Sequence, residues 1–379
     1  MKDFTLLLKE KLEKLIQSGG SDLHIKAKRA IYIRVQGDII KLDNEIITPQ
    51  ECIEYSKILL KDKYDEFLEK KEIDTSFALD EKYRFRVNCF FQNDGISIVF
   101  RSLRGDIFSI KELGLSHKVN HFTTINRGLV LVTGVTGSGK STTLSALINE
   151  INETQQKHII TIEDPIEFIH KDKKSIINQR AVGEHTQSFS MALRASLRED
   201  PDIILVGEMR DLETIEIALQ AAQTGHLVFA TLHTIDAKET INRIIGVFPS
   251  EEQNRIRITL SDVIQGIISQ RLVKKIDGTR YAIFEILTRS PRIVSLIREN
   301  RDNEIKDALE EGFDIYNTQT FDQGLLEAYF DGIITKEEAL KYATNPDEIS
   351  LKFKGVNSSK KASNSPLEDM SCDIKTKSV

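Results

Sequence analysis

The sequence is short of cysteine, of long apolar runs and of positive charge, and each shortage removes a class of function. Cys52, Cys89 and Cys372 are odd in number, far apart and in no C-x-x-C pattern, which argues against a disulfide framework and a cysteine zinc site. No apolar stretch approaches the roughly 20 residues that span a bilayer, so no transmembrane segment is expected. The opening MKDFTLLLKEKLEKLIQSGG has only FTLLL before charges resume and no small-residue cleavage site. That is not a signal peptide, and the cytoplasm is the expected compartment. A net charge of -6 disfavours nucleic acid as a bulk partner.

What remains is an ordinary globular make-up, 29% charged and 40% hydrophobic over 379 residues, long enough for two folded domains. Residues 1–115 are expected to form a small α+β domain. An amphipathic helix carries Leu7, Leu8, Leu12, Leu15 and Ile16 and stops at Gly19-Gly20; strand-like runs follow in DLHIKA and IYIRVQGDIIKL. A second helix starts at TPQE, with Thr48 and Glu51 as a capping box. A hairpin, YRFRVNCFF and ISIVFRS around QNDG, closes the domain. After a linker over 116–125, strands LVLVT, HIITI, DIILVG and HLVFATL alternate with helices, the pattern of a parallel α/β sheet over 126–345. SEEQNRIRITLSDVIQGIISQRLV reads as one long helix capped by Ser250-x-x-Gln253, with more helices to about 345. Residues 346–379, rich in Ser and Lys, read as a disordered tail.

Gly134-x-x-x-x-Gly139-Lys140-Ser141, between a buried-type strand and a helix, fits a P-loop. Its backbone over Gly134, Thr136, Gly137, Ser138 and Gly139 would curl around phosphates, with Ser141 and Thr142 opening the helix. Lys140 would add a charge at the β/γ positions of ATP, and Ser141 a hydroxyl to Mg²⁺. Hydrolysis also needs a metal-holding acid and a group to orient water. Glu163 and Glu208 end two strands of the expected parallel sheet, so both can converge with the P-loop at one rim; their division of labour stays open. His226 and His233 bracket LVFATL, roughly 23 Å apart along a strand, too far to share an ion. Each is a structural residue or a sensor. Arg86 and Arg101 lie on one face of the hairpin, directly opposite if the turn is Asn93-Asp94 and diagonal if it is Asp94-Gly95. Either both point into solvent, or an anion such as the nucleotide phosphate lies between them, reached from another domain or a neighbouring subunit.

The ordered set GVTGSGKST, TIEDPIE, SFSMALRASLREDPDIILVGEMRDLET and TGHLVFATLHT resembles the secretion-superfamily ATPases of type IV pili, most closely the twitching-motility retraction ATPases of the PilT type. The likeness covers about residues 1–345. It implies a PAS-like N-terminal α+β domain followed by a RecA-like P-loop ATPase domain, assembled as a hexamer. By position, Lys140 matches the Walker A lysine, Glu163 the Asp-box glutamate, Glu208 the Walker B glutamate, and His226 and His233 the His-box pair. Arg86 and Arg101 fall in segments whose arginines engage phosphates. The resemblance further implies Mg²⁺-dependent ATP hydrolysis that drives pilus retraction. It also implies an inner-membrane platform protein as partner, a place at the cytoplasmic face of that membrane, and a paralogous retraction ATPase alongside. SPRIVSLIREN is similar to the family's retraction motif, commonly AIRNLIRE, matching at Ile293, Leu296, Ile297, Arg298 and Glu299 and departing at Arg292, Val294 and Ser295. An accessory PilU-type role, a pilus-extension or type II secretion ATPase, and a nucleotide-dependent regulatory module without turnover are the alternatives.

Overall fold

The computed structural model describes residues 3–354 except Gln36, Glu81, Lys82 and 104–106; the expected tail beyond 354 lies outside the described residues. Asp3 caps helix α1 (Phe4–Gln17) by accepting from the Thr5 and Leu6 amides, and Leu8, Leu12 and Leu15 form its buried stripe. Strands β1 (Asp22–Lys26), β2 (Arg29–Val35) and β3 (Asp38–Ile47) follow. The IYIRVQGDIIKL run is folded back on itself, Val35 pairing with Asp38. Helix α2 (Pro49–Leu60) carries the Thr48/Glu51 capping box. Helix α3 (Tyr64–Lys70) and strand β4 (Glu72–Ala78) come next, then the hairpin β5 (Arg84–Gln92) and β6 (Gly95–Leu103). These strands form one antiparallel sheet in the order β3-β2-β1-β6-β5-β4. Alternation sends Leu23, Ile25, Phe85, Val87, Ile98 and Phe100 into a core with the α1 and α2 side chains. Arg86 and Arg101 are left exposed on the opposite face.

The stretch expected as a linker is packed instead. Helix α4 (His117–Asn120) and the turn after it bury Lys118, Val119 and Phe122. The second sheet then builds from β7 (Gly128–Thr133), α5 (Lys140–Thr154), β8 (His158–Glu163), β9 (Ile176–Ala181) and α6 (Phe189–Ser196). It continues through β10 (Ile203–Val206), α7 (Leu212–Gln223), β11 (Leu227–Leu232), α8 (Ala237–Gly246) and α9 (Gln253–Val263), and ends with β12 (Ile264–Lys274) and β13 (Arg280–Thr288). The order is β13-β12-β7-β11-β10-β8-β9, parallel from β12 to β9 with β13 antiparallel at the edge. Helices α10 (Pro291–Arg298), α11 (Ile305–Glu311), α12 (Phe313–Tyr316), α13 (Phe321–Phe330), α14 (Lys336–Tyr342) and α15 (Pro346–Phe353) complete the chain. The mixed α/β architecture is the one expected. No helix among the described residues is long and apolar enough to cross a membrane.

Three expectations are corrected. The long helix over 250–273 ends at Val263, and its second half is β12; Ser250 does not cap it, since the N-cap is Glu252 with no side-chain bond. Pairing with β7 and β13 outweighs the helical spacing of the isoleucines, and Gly266 lets the strand pass the Phe122 ring, which a Cβ would meet at 2.0 Å. YAIFEIL, within the expected run of helices, lies in β13. The tail does not begin at 346, because Pro346 and the Asn345 cap start α15, whose Ile349 is buried.

Candidate active site

The parallel register of β7, β11, β10 and β8 brings their carboxyl ends to one rim. From β7, residues 134–139 form a loop that ends on the first turn of α5. Gly134 has φ of 143°, and a Cβ there would meet the Gln270 carbonyl oxygen at 2.5 Å and Ser138 Oγ at 2.6 Å. Thr136 and Gly137 are exposed at the crest, Gly139 and Thr142 are half-buried, and Ser141 is exposed at the start of α5. Ser138 Oγ is buried and has no hydrogen-bond partner among the described residues. Lys140 folds back over the loop, its Nζ donating to the carbonyls of Gly134 at 2.9 Å and Val135 at 3.2 Å, and burial lowers its pKa. Gln270 of β12 braces the other side: Nε2 donates to the Ser138 carbonyl at 2.6 Å and Oε1 accepts from Thr143 Oγ1 at 2.8 Å.

Just past β11, His233 joins the loop to an acid. Its Nδ1 is 3.5 Å from Lys140 Nζ and 3.4 Å from Thr136 Oγ1, while Nε2 is 3.2 Å from Glu208 Oε1. A nitrogen facing a carboxylate carries a proton, so Nε2 donates to Glu208 while Nδ1 faces the loop. The other Glu208 oxygen pairs with Arg210 at 2.7 Å. Burial works to raise the Glu208 pKa, but the bonds and charges of Arg210 and His233 outweigh it and hold the carboxyl below its ordinary range. Glu163, at the end of β8, has the opposite balance. Burial pushes its carboxyl up to about 7, although Thr161 Oγ1 at 2.6 Å and Gln179 Nε2 at 3.2 Å both donate to its Oε1. One rim thus carries a carboxylate held ionised and a carboxyl poised to exchange a proton near neutrality.

His226 stands apart from the P-loop. It precedes β11 at the amino edge of the sheet, where its Nδ1 lies 3.0 Å from the Ala221 carbonyl and 3.2 Å from Thr224 Oγ1, the far end of the strand from the P-loop. A single chain does not bring the two histidines together. Arg86 and Arg101 are directly paired, because Gln92 pairs with Gly95 and the turn is Asn93-Asp94. Two acids relieve the repulsion. Asp22, directly paired with Arg101 across β1 and β6, is buried and accepts from Arg101 Nε at 2.8 Å; Asp74 lies 3.7 Å from Arg86. Both guanidinium groups stay at least half exposed and open to an anion.

A strand that ends in a glycine loop opening a helix, with two acids and a histidine at one rim, is the layout of a nucleotide site. The family model for type II/IV secretion system proteins matches residues 3–284. The chain belongs to this secretion ATPase family. Within it, the chain is 46% identical to the type IV pilus retraction ATPase PilT of Pseudomonas aeruginosa over 88% of this chain and 97% of that protein. To the pilus ATPase PilU of the same organism it is 36% identical, over 91% of each. A crystal structure of the pilus retraction motor PilT with bound ADP superposes with a TM-score of 0.84 at 45% identity, over 90% of this chain and 98% of that one. The sequence reading of this family member did not single out Gln179, Arg210 or Gln270. Arg210 stands two residues after Glu208 and had a positional signal; Gln270 lay in the half-helix that proved to be β12.

Proposed function

We propose that this chain is an ATPase motor of type IV pilus retraction. The chemistry rests on the rim that carries Lys140, His233, Glu208 and Glu163. The water oxygen bonds the γ-phosphorus as its proton passes to Glu163 and the bond to the β–γ bridging oxygen breaks, leaving ADP and phosphate. Lys140 releases the Gly134 and Val135 carbonyls to reach the β/γ oxygens, and Gly134 through Thr142 hold the phosphates. Ser141 and Glu208 supply a hydroxyl and an ionised carboxylate, hard oxygen donors that suit Mg²⁺, which takes only one or two protein ligands beside phosphates. Bound there, the ion would neutralise phosphate charge. Arg86 and Arg101 meet the same phosphates from the first domain. The motor works as a hexamer at the cytoplasmic face of the inner membrane, acting on a pilus platform protein, with a paralogous ATPase alongside. Identity to PilT above that to PilU favours the primary motor. In the test, Lys140→Ala abolishes steady-state phosphate release and a deletion strain stops retracting labelled pili; undiminished release refutes catalysis at the P-loop, and unchanged retraction refutes the motor.

A further inference from the structure

β9 is the edge strand on the Glu163 side of the parallel sheet, and its half-buried Gln179 turns its whole amide toward the rim. Nε2 donates to Glu163 Oε1 at 3.2 Å and to the Phe168 carbonyl at 2.8 Å, while Oε1 accepts the His170 N–H at 2.8 Å. One side chain therefore fastens both the carboxylate and the excursion over 164–170 that leaves it. Thr161 Oγ1 reaches the same Glu163 oxygen at 2.6 Å from within β8. Thr161 and Gln179 thus hold Oε1 from two strands, and the Glu167 backbone N–H bonds the same carboxylate, so the group is kept in one orientation.

We infer that Gln179 is a positioning residue for ATP hydrolysis, holding the Glu163 carboxylate in the orientation from which it takes the proton of the attacking water. The inference rests on the reading of Glu163 as proton acceptor. Such groups act through geometry: a small misplacement of a reacting atom slows the chemical step while substrate binding, made by other residues, persists. Glutamine suits the position because it offers donors to Glu163 and Phe168 and an acceptor to His170 at once; leucine, of similar size, offers none, and glutamate keeps only the acceptor.

The test is steady-state phosphate release by the full chain carrying Gln179→Leu, Gln179→Glu, Glu163→Gln or Asn152→Ala. Asn152 is the stability control, since it bonds the Lys171 carbonyl at 2.8 Å and the Lys173 amide at 3.1 Å and has no part in the site. Both Gln179 variants should lose about 10- to 100-fold in kcat with the KM for ATP unchanged. Asn152→Ala should lower Tm and leave kcat alone. Gln179→Glu retains the His170 acceptor and so reports even if Gln179→Leu fails to fold. Wild-type kcat in the Gln179 variants, or a loss matched by Asn152→Ala at equal Tm, overturns the positioning role. Full activity in Glu163→Gln instead overturns the reading of Glu163, so the two failures are distinguishable.

Discussion

His233 uses its ring nitrogens on two elements, one toward the P-loop at Lys140 and Thr136 and the other toward Glu208. Removing the ring leaves Glu208 to Arg210 alone and frees Lys140 from its neighbour. His233→Ala should therefore lower kcat about 10- to 100-fold, whereas His226→Ala should keep kcat and cost only about 1 kcal/mol of stability through its hydrogen bonds to Ala221 and Thr224. Phosphate release and thermal melts on the two variants separate these outcomes, and equal losses of kcat would return His226 to the site. At this scale the sequence was legible wherever chemistry and spacing coincide, as in the P-loop and the two glutamates that end strands. It was legible for the histidines too, since His233 follows LVFATL toward the carboxyl rim of a parallel sheet and His226 precedes it, but what each ring bonds to was not. Gln179 and Gln270 were invisible, since an amide carries no motif and gains meaning only from partners remote in sequence.

Among elements, α8 depends on a buried acid. Glu285 of β13 accepts the Ala237 amide at 2.8 Å and so completes the amino end of the helix that follows the His233 loop. Burial pushes the Glu285 carboxyl up to about 7, over the lowering effect of that bond and with Asp236 adding to the rise. The native state then binds more protons than the unfolded chain between the ordinary carboxyl range and pH 7, so this group's contribution is lost as pH rises through that window. Glu285→Gln keeps an oxygen for Ala237 and carries no charge. Relative to wild type it should gain stability as pH rises from 5 to 8, by up to about 3 kcal/mol, and melting curves at the two pH values check it; a pH-independent difference would refute it. The elements missed by sequence reading share a cause. β9 reads IINQRA, too polar for a buried strand, and β12 satisfies helical spacing as well as strand composition. Only pairing with distant strands resolves such segments.

For the molecule as a whole, the question is which first domain serves which P-loop. The sequence left both another domain of the same chain and a neighbouring subunit open. In the structure the chain's own first domain meets the rim, with Lys63 Nζ donating to the Gly183 carbonyl and Ser76 Oγ to Glu184 Oε1, each at 2.6 Å. Ser76 is directly paired with Arg86 on β4 and β5, and Val182, just before Gly183, donates its amide to the Glu163 carbonyl at 2.8 Å. These bonds tie the arginine-bearing sheet, through residues 182–184, to the end of β8 within one chain. Arginines acting on their own chain's nucleotide make a definite prediction for mixed assemblies. Lys140→Ala and Arg101→Ala subunits, each inactive alone, should stay inactive when mixed, because every site lacks one group. Were the arginines to act across a head-to-tail interface, roughly a quarter of the sites in an equal mixture would be complete. Phosphate release from co-purified, differently tagged subunits distinguishes the two, and recovery toward that fraction would place the arginines in a neighbour's site.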